Sequence, residues 1–448
     1  MASQKRRAFY ILSLFAISIY ISRKKEEELF LIAGRNRKTL QILLSKFATS
    51  AGAAYFITYT GFAYKYGAGV FAILLGSILG YLIFAFWAAP KIAKNSKEGK
   101  FYTMGHFVKD RLGSEKLRIV VDIVSSVILF LWLVVGIIGG GKIISDFGLL
   151  SYNSSVMVTS LVVLGYLLLA GYHAVLITDV IQSAIILFLL CIITGEIVST
   201  STFADLSSLL RGKVDMATVS GFFIYGIFSI FSFSDRYQLC YAAKSEKDLK
   251  LGMSLPLIPI LMMAYFLFLI GIYTAKQTPN LDEALVFIWA LKHFLSPSLL
   301  PLAIVLFFAG IMSSADTSIY AIASHYAFLR EDPHISFIAK IKKSTVYLVV
   351  LLTLAAIAFP DIIKVSVFAA IVSLLLTFPM IYLISGGRDP SRFLASFVTS
   401  FVGMIIGLMV LGVKPSALIG VVIVGPVGLL YSSKQDEASP AEISNTED

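Results

Sequence analysis

Long runs of apolar residues, separated by short polar stretches, dominate the hydropathy pattern of this chain. A helix needs about 20 mostly apolar residues to cross a hydrocarbon core of about 30 Å. Thirteen runs reach or approach that length, at residues 8–22, 39–64, 68–90, 117–146, 154–171, 173–198, 217–236, 250–274, 298–329, 342–359, 361–386, 392–412 and 414–432. The pattern therefore predicts an all-α integral membrane protein with 13 transmembrane helices.

Composition supports this interpretation, because 58% of the 448 residues are hydrophobic and 14% are charged, which is more apolar than a soluble globular chain. Residues 1–435 are predicted to form a single transmembrane domain, and the acidic segment 436–448 a disordered cytoplasmic tail. The short first run is followed by basic residues and lacks a small-x-small cleavage site. We therefore interpret it as a retained helix and not as a signal peptide. The longest loop, 91–116, predicts a short amphipathic helix around Phe107.

The net charge of +10 is distributed unevenly between the two sides of the predicted bundle. With the N-terminus outside, 25 of the 37 Lys and Arg residues fall on the cytoplasmic side, eleven fall on the opposite side, and Lys46 lies within a helix. This asymmetry places the protein in the cell membrane with its C-terminus in the cytoplasm. The positive charge thus indicates orientation in the lipid bilayer and no nucleic-acid partner, and no protein partner can be inferred.

The apolar run 298–329 contains five polar residues near its centre, namely Ser313, Ser314, Asp316, Thr317 and Ser318. A carboxylate at bilayer depth costs at least ~2.5 kcal/mol and usually faces a partner or a water-filled cavity. Hydroxyl groups around it, beside Ala309 and Gly310, form an all-oxygen environment that suits a hard cation. Alternatively, the hydroxyls bond to their own helix backbone and Asp316 pairs with a base.

Two predicted helices carry weak helix formers at their centres. The run 39–64 contains small and hydroxyl residues around Gly52, and the run 217–236 contains Gly226, Ser229, Ser232 and Ser234. Without the run 8–22, these are the first and sixth members of a ten-helix series. Interruptions at corresponding positions of two five-helix halves indicate an inverted-repeat transporter, in which unwound backbone binds ion and solute. The alternative is that small residues only permit close helix packing.

Several motifs, in the same order and spacing, resemble the sodium:solute symporter family. They are EEELFLIAGRNR at 26–37, FAYKYGAG at 62–69, AGYHAVLITDVIQ at 170–182, YQLCYAAKS at 237–245 and FFAGIMSSADTS at 307–318. One departure is Leu239, where the family usually has Arg. The resemblance implies a LeuT-like fold of 5+5 inverted repeats, with an extra N-terminal helix (8–22), first repeat 39–198, second repeat 217–386 and two extra C-terminal helices within 392–432.

The resemblance also implies a sodium site. By alignment its ligands are the backbone carbonyls of Ala48, Ala51 and Gly310 and the hydroxyls of Ser313 and Ser314. Neutral oxygens suit a coupling ion, because they bind it weakly enough to release it in each cycle.

A second cation site is implied at Asp179, together with Ser313, Asp316 and Thr317. Asp316 stands where family members with two sodium ions have a hydroxyl. Two carboxylates at one cation could tighten its binding, or one could be protonated through like-charge repulsion. A gating or capping role for Asp179 is the alternative.

The solute pocket implied by the family lies among the second, third and seventh predicted helices. Its expected residues are Gly52, Tyr55, Phe56, Ser77, Tyr225, Gly226 and Ser229. A sugar is disfavoured, because Tyr55, Leu74 and Gly226 replace the family's sugar-binding side chains. Phe228 and Trp132 add to aromatic walls that suit a modest apolar or zwitterionic solute, while Asp235 and Arg236 are expected to form a gate or to pair with each other.

We therefore expect a sodium-coupled symporter that imports a small organic solute by alternating access. Proton coupling through Asp179 or Asp316, and an uncoupled channel or sensor on the same fold, remain alternatives. The sequence shows no nucleotide-binding loop and no metal-ligand cluster, so we expect no enzymatic activity and no cofactor, with sodium as the coupling ion.

Overall fold

The computed structural model describes residues 33–94, 96–169, 172–199, 215–329 and 336–431, and the description below concerns these residues. Within these ranges the backbone is helical, and the only extended pairing is an isolated bridge between Arg37 and Ala243. The predicted first helix, 8–22, and the predicted tail, 436–448, lie outside the described residues.

The first half of the described chain forms eight α-helices. They are α1 (Thr39–Ser50), α2 (Ala53–Tyr66), α3 (Phe71–Ile83), α4 (Ala89–Ala93), α5 (Met104–Leu112), α6 (Glu115–Asp146), α7 (Tyr152–Leu169) and α8 (Tyr172–Ser199). A π-helical turn, Phe84–Ala88, joins α3 to α4. The amphipathic helix predicted around Phe107 is confirmed as α5.

The second half contributes eleven further α-helices. They are α9 (Met216–Phe228), α10 (Ser234–Ala242), α11 (Glu246–Ser254), α12 (Leu257–Gln277), α13 (Val286–Phe294), α14 (Leu300–Leu329), α15 (Phe337–Ala358), α16 (Ile362–Ser373), α17 (Thr377–Ile384), α18 (Pro390–Leu411) and α19 (Leu418–Val424). The sequence analysis did not predict α13 or the separation of α16 from α17.

Side-chain caps define where many of these helices begin. The Ser114 hydroxyl accepts a hydrogen bond from the Leu117 amide at the start of α6, and the Asp215 carboxylate accepts from two amides at the start of α9. Asp361 caps α16 in the same way, through the Lys364 amide. Such residues satisfy amide groups that the first helical turn leaves without a partner.

Seven helical stretches of the described chain are long and apolar enough to cross a membrane, or eight if the bent pair α9–α10 counts as one span. Their outer faces expose large apolar side chains such as Leu75, Leu354, Met409 and Val410. An apolar belt of this kind is stable in contact with lipid and unstable in water.

Both predicted interruptions are confirmed. The second predicted span, 39–64, is split into α1 and α2 at Ala51 and Gly52. In the other, α9 ends at Phe228, a 3-10 turn covers Ser229–Ser232, and α10 continues at an angle of 51°. Gly226 itself lies inside α9, so the break follows it.

Close approach of helices explains two glycines at the centre of the bundle. A β-carbon at Gly226 would lie 2.3 Å from the carbonyl oxygen of Ile73, so α9 lies directly against the backbone of α3. A β-carbon at Gly52 would lie 2.3 Å from Ser314 Oγ. The broken helix α1–α2 is thereby held against the middle of α14.

Candidate ion and solute site

The break between α1 and α2 exposes backbone carbonyl groups inside the bundle. The amide of Ala51 bonds to the carbonyls of Phe47 and Ala48, at 2.8 and 3.1 Å, and closes the last turn of α1. Gly52 then adopts an extended conformation, with φ −71° and ψ 157°, before α2 begins. Carbonyls at a helix end lack partners further along the helix, so they are available to other ligands.

Two hydroxyls of α14 reach these carbonyls. Ser313 Oγ donates to the Ala48 carbonyl at 2.7 Å and lies 3.4 Å from the Gly310 carbonyl. Ser314 Oγ donates to the carbonyl of Thr49 at 3.1 Å. The structure therefore brings Ala48, Gly310 and Ser313 together, and it places Ser314 against Gly52, directly beside Ala51.

One of the two oxygen separations at Ser313 matches the separation expected around a cation of the size of sodium. Ca²⁺, an ion of nearly the same radius, binds oxygens at about 2.3–2.6 Å, so two ligands at right angles lie about 3.4 Å apart. Ser313 Oγ and the Gly310 oxygen have that separation, 3.4 Å. The 2.7 Å bond from Ser313 to Ala48 is shorter, so this hydroxyl must turn its hydrogen away and the two oxygens must separate when a cation binds.

Asp179 is hydrogen-bonded to α1. Its Oδ2 accepts a hydrogen bond of 2.6 Å from Ser45 Oγ, and its Oδ1 is buried without a hydrogen-bond partner among the described residues. Thr49 Oγ1 bonds to the Ser45 carbonyl at 2.9 Å and to Thr317 Oγ1 at 3.4 Å. A line of oxygens thus connects Asp179 to Thr317.

Sequence reasoning missed Ser45 and Thr49, although their spacing of four residues puts both hydroxyls on one face of α1. The Asp316 backbone belongs to α14, but its side chain lies outside the described part of the structure. Its part in a second cation site therefore stays a prediction.

A cavity of about 210 Å³ lies beside the helix break. Five of the expected solute residues line it, namely Gly52, Tyr55, Ser77, Tyr225 and Ser229. Trp132 also lines it and donates from Nε1 to Ser373 Oγ at 3.1 Å. The walls are mainly aromatic: Tyr55 stacks on Tyr59 with ring centres 5.1 Å apart, and Trp132 lies 6.1 Å from Tyr225.

Two expected solute residues do not line this cavity. Phe56 is fully buried in the apolar core, where it packs on Phe287 and Phe307 at centroid distances of 5.7 and 6.3 Å. Gly226 is covered by the backbone of α3. Phe228 packs on Phe378 at 5.4 Å, outside the lining. These three residues therefore pack against neighbouring helices and do not line the cavity.

Charged side chains lie at the cavity wall where the sequence analysis expected none. Arg236 lines the cavity and forms the expected ion pair with Asp235. Lys46, within α1, is fully buried, and its Nζ donates to Ser50 Oγ at 2.6 Å. In the sequence, Lys46 is distinguished only as a basic residue inside an apolar run.

Comparison with known proteins agrees with this geometry. The model of the sodium:solute symporter family matches residues 30–328. A sodium/proline symporter of Staphylococcus aureus is 27% identical over 240 residues, or 51% of this chain and 46% of that protein. The aligned part thus spans about half the length of the proline symporter. A sodium/pantothenate symporter of Haemophilus influenzae is 24% identical over 380 residues, which cover 78% of this chain and 77% of that protein.

Solved structures show the same fold at low identity. A Na⁺-coupled sialic acid symporter in a substrate-bound outward-open state aligns with a TM-score of 0.76 and 18% identity, covering 96% of this chain and 98% of the other. A nucleobase-cation-symport-1 family transporter with bound bromovinylhydantoin aligns with a TM-score of 0.58 and 10% identity, covering 91% and 97%. Both have the LeuT-like fold. With the family model matched over most of its length, this multi-pass membrane protein belongs to the sodium:solute symporter family.

Proposed function

We propose that the protein imports a small organic solute together with sodium by alternating access. One observation carries the proposal: the hydroxyls of Ser313 and Ser314 meet the carbonyls at the end of α1 beside an aromatic cavity. The printed names of the proline and pantothenate relatives, both sodium symporters, support the same coupling.

In this proposal sodium is bound by the carbonyls of Ala48, Ala51 and Gly310 and by the hydroxyls of Ser313 and Ser314. These ligands come from the broken helix α1–α2 and from α14, which belong to different repeats of the proposed 5+5 arrangement. An ion that bridges two elements stabilises the conformation in which they are close, so its occupancy shifts the equilibrium between inward and outward states. In this proposal the protein crosses the membrane 13 times. Its N-terminus is external and its C-terminus cytoplasmic, an orientation that the charge asymmetry favours.

Symport requires that solute and sodium tighten each other's binding, because coupling free energies are reciprocal. We expect the affinity for solute to rise about 5- to 150-fold between sodium-free buffer and saturating sodium. A thermal-shift screen that begins with proline and pantothenate identifies a bound solute, and calorimetry then measures its affinity at both sodium concentrations. Potassium at equal ionic strength is the control. Equal affinity with and without sodium would contradict symport.

Proton coupling through Asp179 is a second candidate, because this carboxyl is fully buried and one of its oxygens has no hydrogen-bond partner among the described residues. A buried carboxyl that accepts a hydrogen bond from a hydroxyl, here that of Ser45, is suited to gaining and losing a proton. The same group, linked to Thr49 and Thr317 through Ser45, is also a candidate ligand for a second sodium ion.

Asp179→Asn separates these roles, because it removes the charge and keeps the size. If Asp179 binds a second sodium ion, the Hill coefficient of sodium-dependent uptake should fall towards one. If it carries a proton, uptake driven by a pH gradient in sodium-free proteoliposomes should occur in the wild type and be lost in the variant. Asp361→Asn, at the exposed start of α16, is the matched control. A variant that behaves as the wild type in both assays would assign Asp179 a structural role.

A further inference from the structure

Arg236 lines the cavity, and one edge of its guanidinium group is left unused by the described residues. Its Nη1 donates to Asp235 Oδ2, while Nε is buried and has no hydrogen-bond partner among the described residues. The described residues offer this side chain no other hydrogen bond. The Nε–H and the adjacent Nη2–H point in the same direction, and together they match the two oxygens of a carboxylate.

The surroundings hold this edge in place. The guanidinium carbon lies 4.6 Å from the centre of the Phe233 ring, and the side chain is only 12% exposed. Both Phe233 and Arg236 line the cavity that also contains Tyr55, Trp132 and Tyr225. Because the Arg side chain is already held in one conformation, binding a planar anion at its free edge costs little further conformational entropy.

Lys46 adds a second positive charge behind the cavity wall. Its Nζ bonds to Ser50 Oγ at 2.6 Å and lies 5.1 Å from the centre of the Tyr81 ring. Ser50 and Tyr81 both line the cavity. Among the described residues, no carboxylate forms an ion pair with Lys46.

The charges at this wall therefore do not balance. Lys46 and Arg236 contribute two positive charges and Asp235 one negative charge, in an interior where an uncompensated charge is strongly unfavourable. The proposed sodium ligands are neutral and offer no compensation. A carboxylate on the solute would supply the missing negative charge at this wall.

We propose that the transported solute carries a carboxylate, which binds the Nε–Nη2 edge of Arg236, while its apolar body lies along Tyr55, Trp132 and Tyr225. This inference rests on the proposed symport function and names the class of its substrate. The cavity of about 210 Å³ has room for a small carboxylic acid.

The test uses the purified full-length protein in saturating sodium. The probes are monocarboxylic acids of about three to eight carbons, each beside its primary amide, which has nearly the same shape and no charge. We expect one or more acids to raise the melting temperature and their amides to have no effect. Arg236→Gln should weaken acid binding about 10- to 100-fold, because a charged hydrogen-bond donor is lost. Arg236→Lys keeps the charge without the planar edge, so its affinity for the acid should lie between the affinities of the wild type and of Arg236→Gln.

Lys46→Met should weaken acid binding too, whereas Lys364→Gln removes an exposed charge that does not line the cavity and is the matched control. Equal binding of acids and amides, binding of no acid, or wild-type acid affinity in Arg236→Gln would overturn the inference. The dependence of the melting temperature on sodium is measured in parallel without any acid. Absence of this sodium response would contradict symport itself. A sodium response without acid binding would contradict only the proposal that the solute is a carboxylate. If Arg236→Gln does not fold, the comparison of acids with amides in the wild type decides.

Discussion

Replacing Ser313 and Ser314 together with Ala should abolish sodium-dependent uptake at sodium concentrations that saturate the wild type. Each substitution removes one proposed ligand, and a hydrogen-bonding partner of a charged group contributes about 1.5–3 kcal/mol. Two such losses weaken sodium binding about 100-fold or more, since each 1.4 kcal/mol is a factor of ten. The substitution also leaves the carbonyls of Ala48 and Thr49 without their hydroxyl donors, so the sodium-free protein should melt at a lower temperature.

Two measurements separate loss of the ion from loss of the fold: uptake into proteoliposomes and the shift in melting temperature on addition of sodium. Ser324→Ala is the matched control, because Ser324 is a buried serine of α14 that bonds to its own helix at Tyr320. Ser313→Thr keeps a hydroxyl at the site and should keep part of the sodium response. A double variant with the sodium dependence of the wild type would exclude these two residues as ligands.

The interruption of the first repeat helix could be predicted because its cause is local. The small and hydroxyl residues around Gly52 have low helix propensity. A glycine is required at position 52 because α14 approaches the backbone closely there. The separation of α16 from α17 has a local signal as well, because Pro379 lacks an amide hydrogen and its ring disfavours a helical carbonyl four residues earlier, at Leu375. This signal was overlooked because Leu374, Leu375 and Leu376 are good helix formers. There the adjoining Thr377 bonds to Ser232 at 2.7 Å, a contact between residues far apart in the sequence.

The cavity lining was predicted where helical geometry and family resemblance agreed, and missed where only tertiary packing decides. Tyr55 and Phe56 are adjacent, so their side chains point about 100° apart on the helix, and only Tyr55 faces the cavity. Lys46 and Arg236 lie in different halves of the chain. Nothing in either local sequence shows that their charges act on each other at one wall.

The predicted ion site and the charged wall have complementary chemistry. The oxygens at Ala48, Gly310 and Ser313 are neutral, so these proposed ligands supply no negative charge to offset that of a sodium ion. A carboxylate solute bound at Arg236 would share one cavity with Ser314 and Gly52. Attraction between the two bound ions would then couple their binding directly, in addition to any coupling through conformation.

Replacing Gly52 with Ala should disrupt both sodium and solute binding with a single methyl group. The added carbon would lie 2.3 Å from Ser314 Oγ and 3.1 Å from Ser314 Cβ, so α1–α2 and α14 must separate. Overpacking of this kind typically costs about 1–3 kcal/mol. A shift of even a few tenths of an ångström opens the shared ion site, and we expect at least a tenfold loss of sodium affinity together with loss of uptake.

The control for Gly52→Ala is Gly136→Ala in α6, where the same methyl group would meet nothing within 4 Å. Both variants are compared by sodium-dependent melting and by uptake in proteoliposomes. The control should melt at or slightly above the wild-type temperature, because Ala favours helix over Gly by about 1 kcal/mol. Gly52→Leu should be more severe still, because its side chain also enters the cavity beside Tyr55. Normal sodium affinity in Gly52→Ala would show that the contact between Gly52 and Ser314 does not hold the ion site together, and the site would then have to be placed elsewhere along α14.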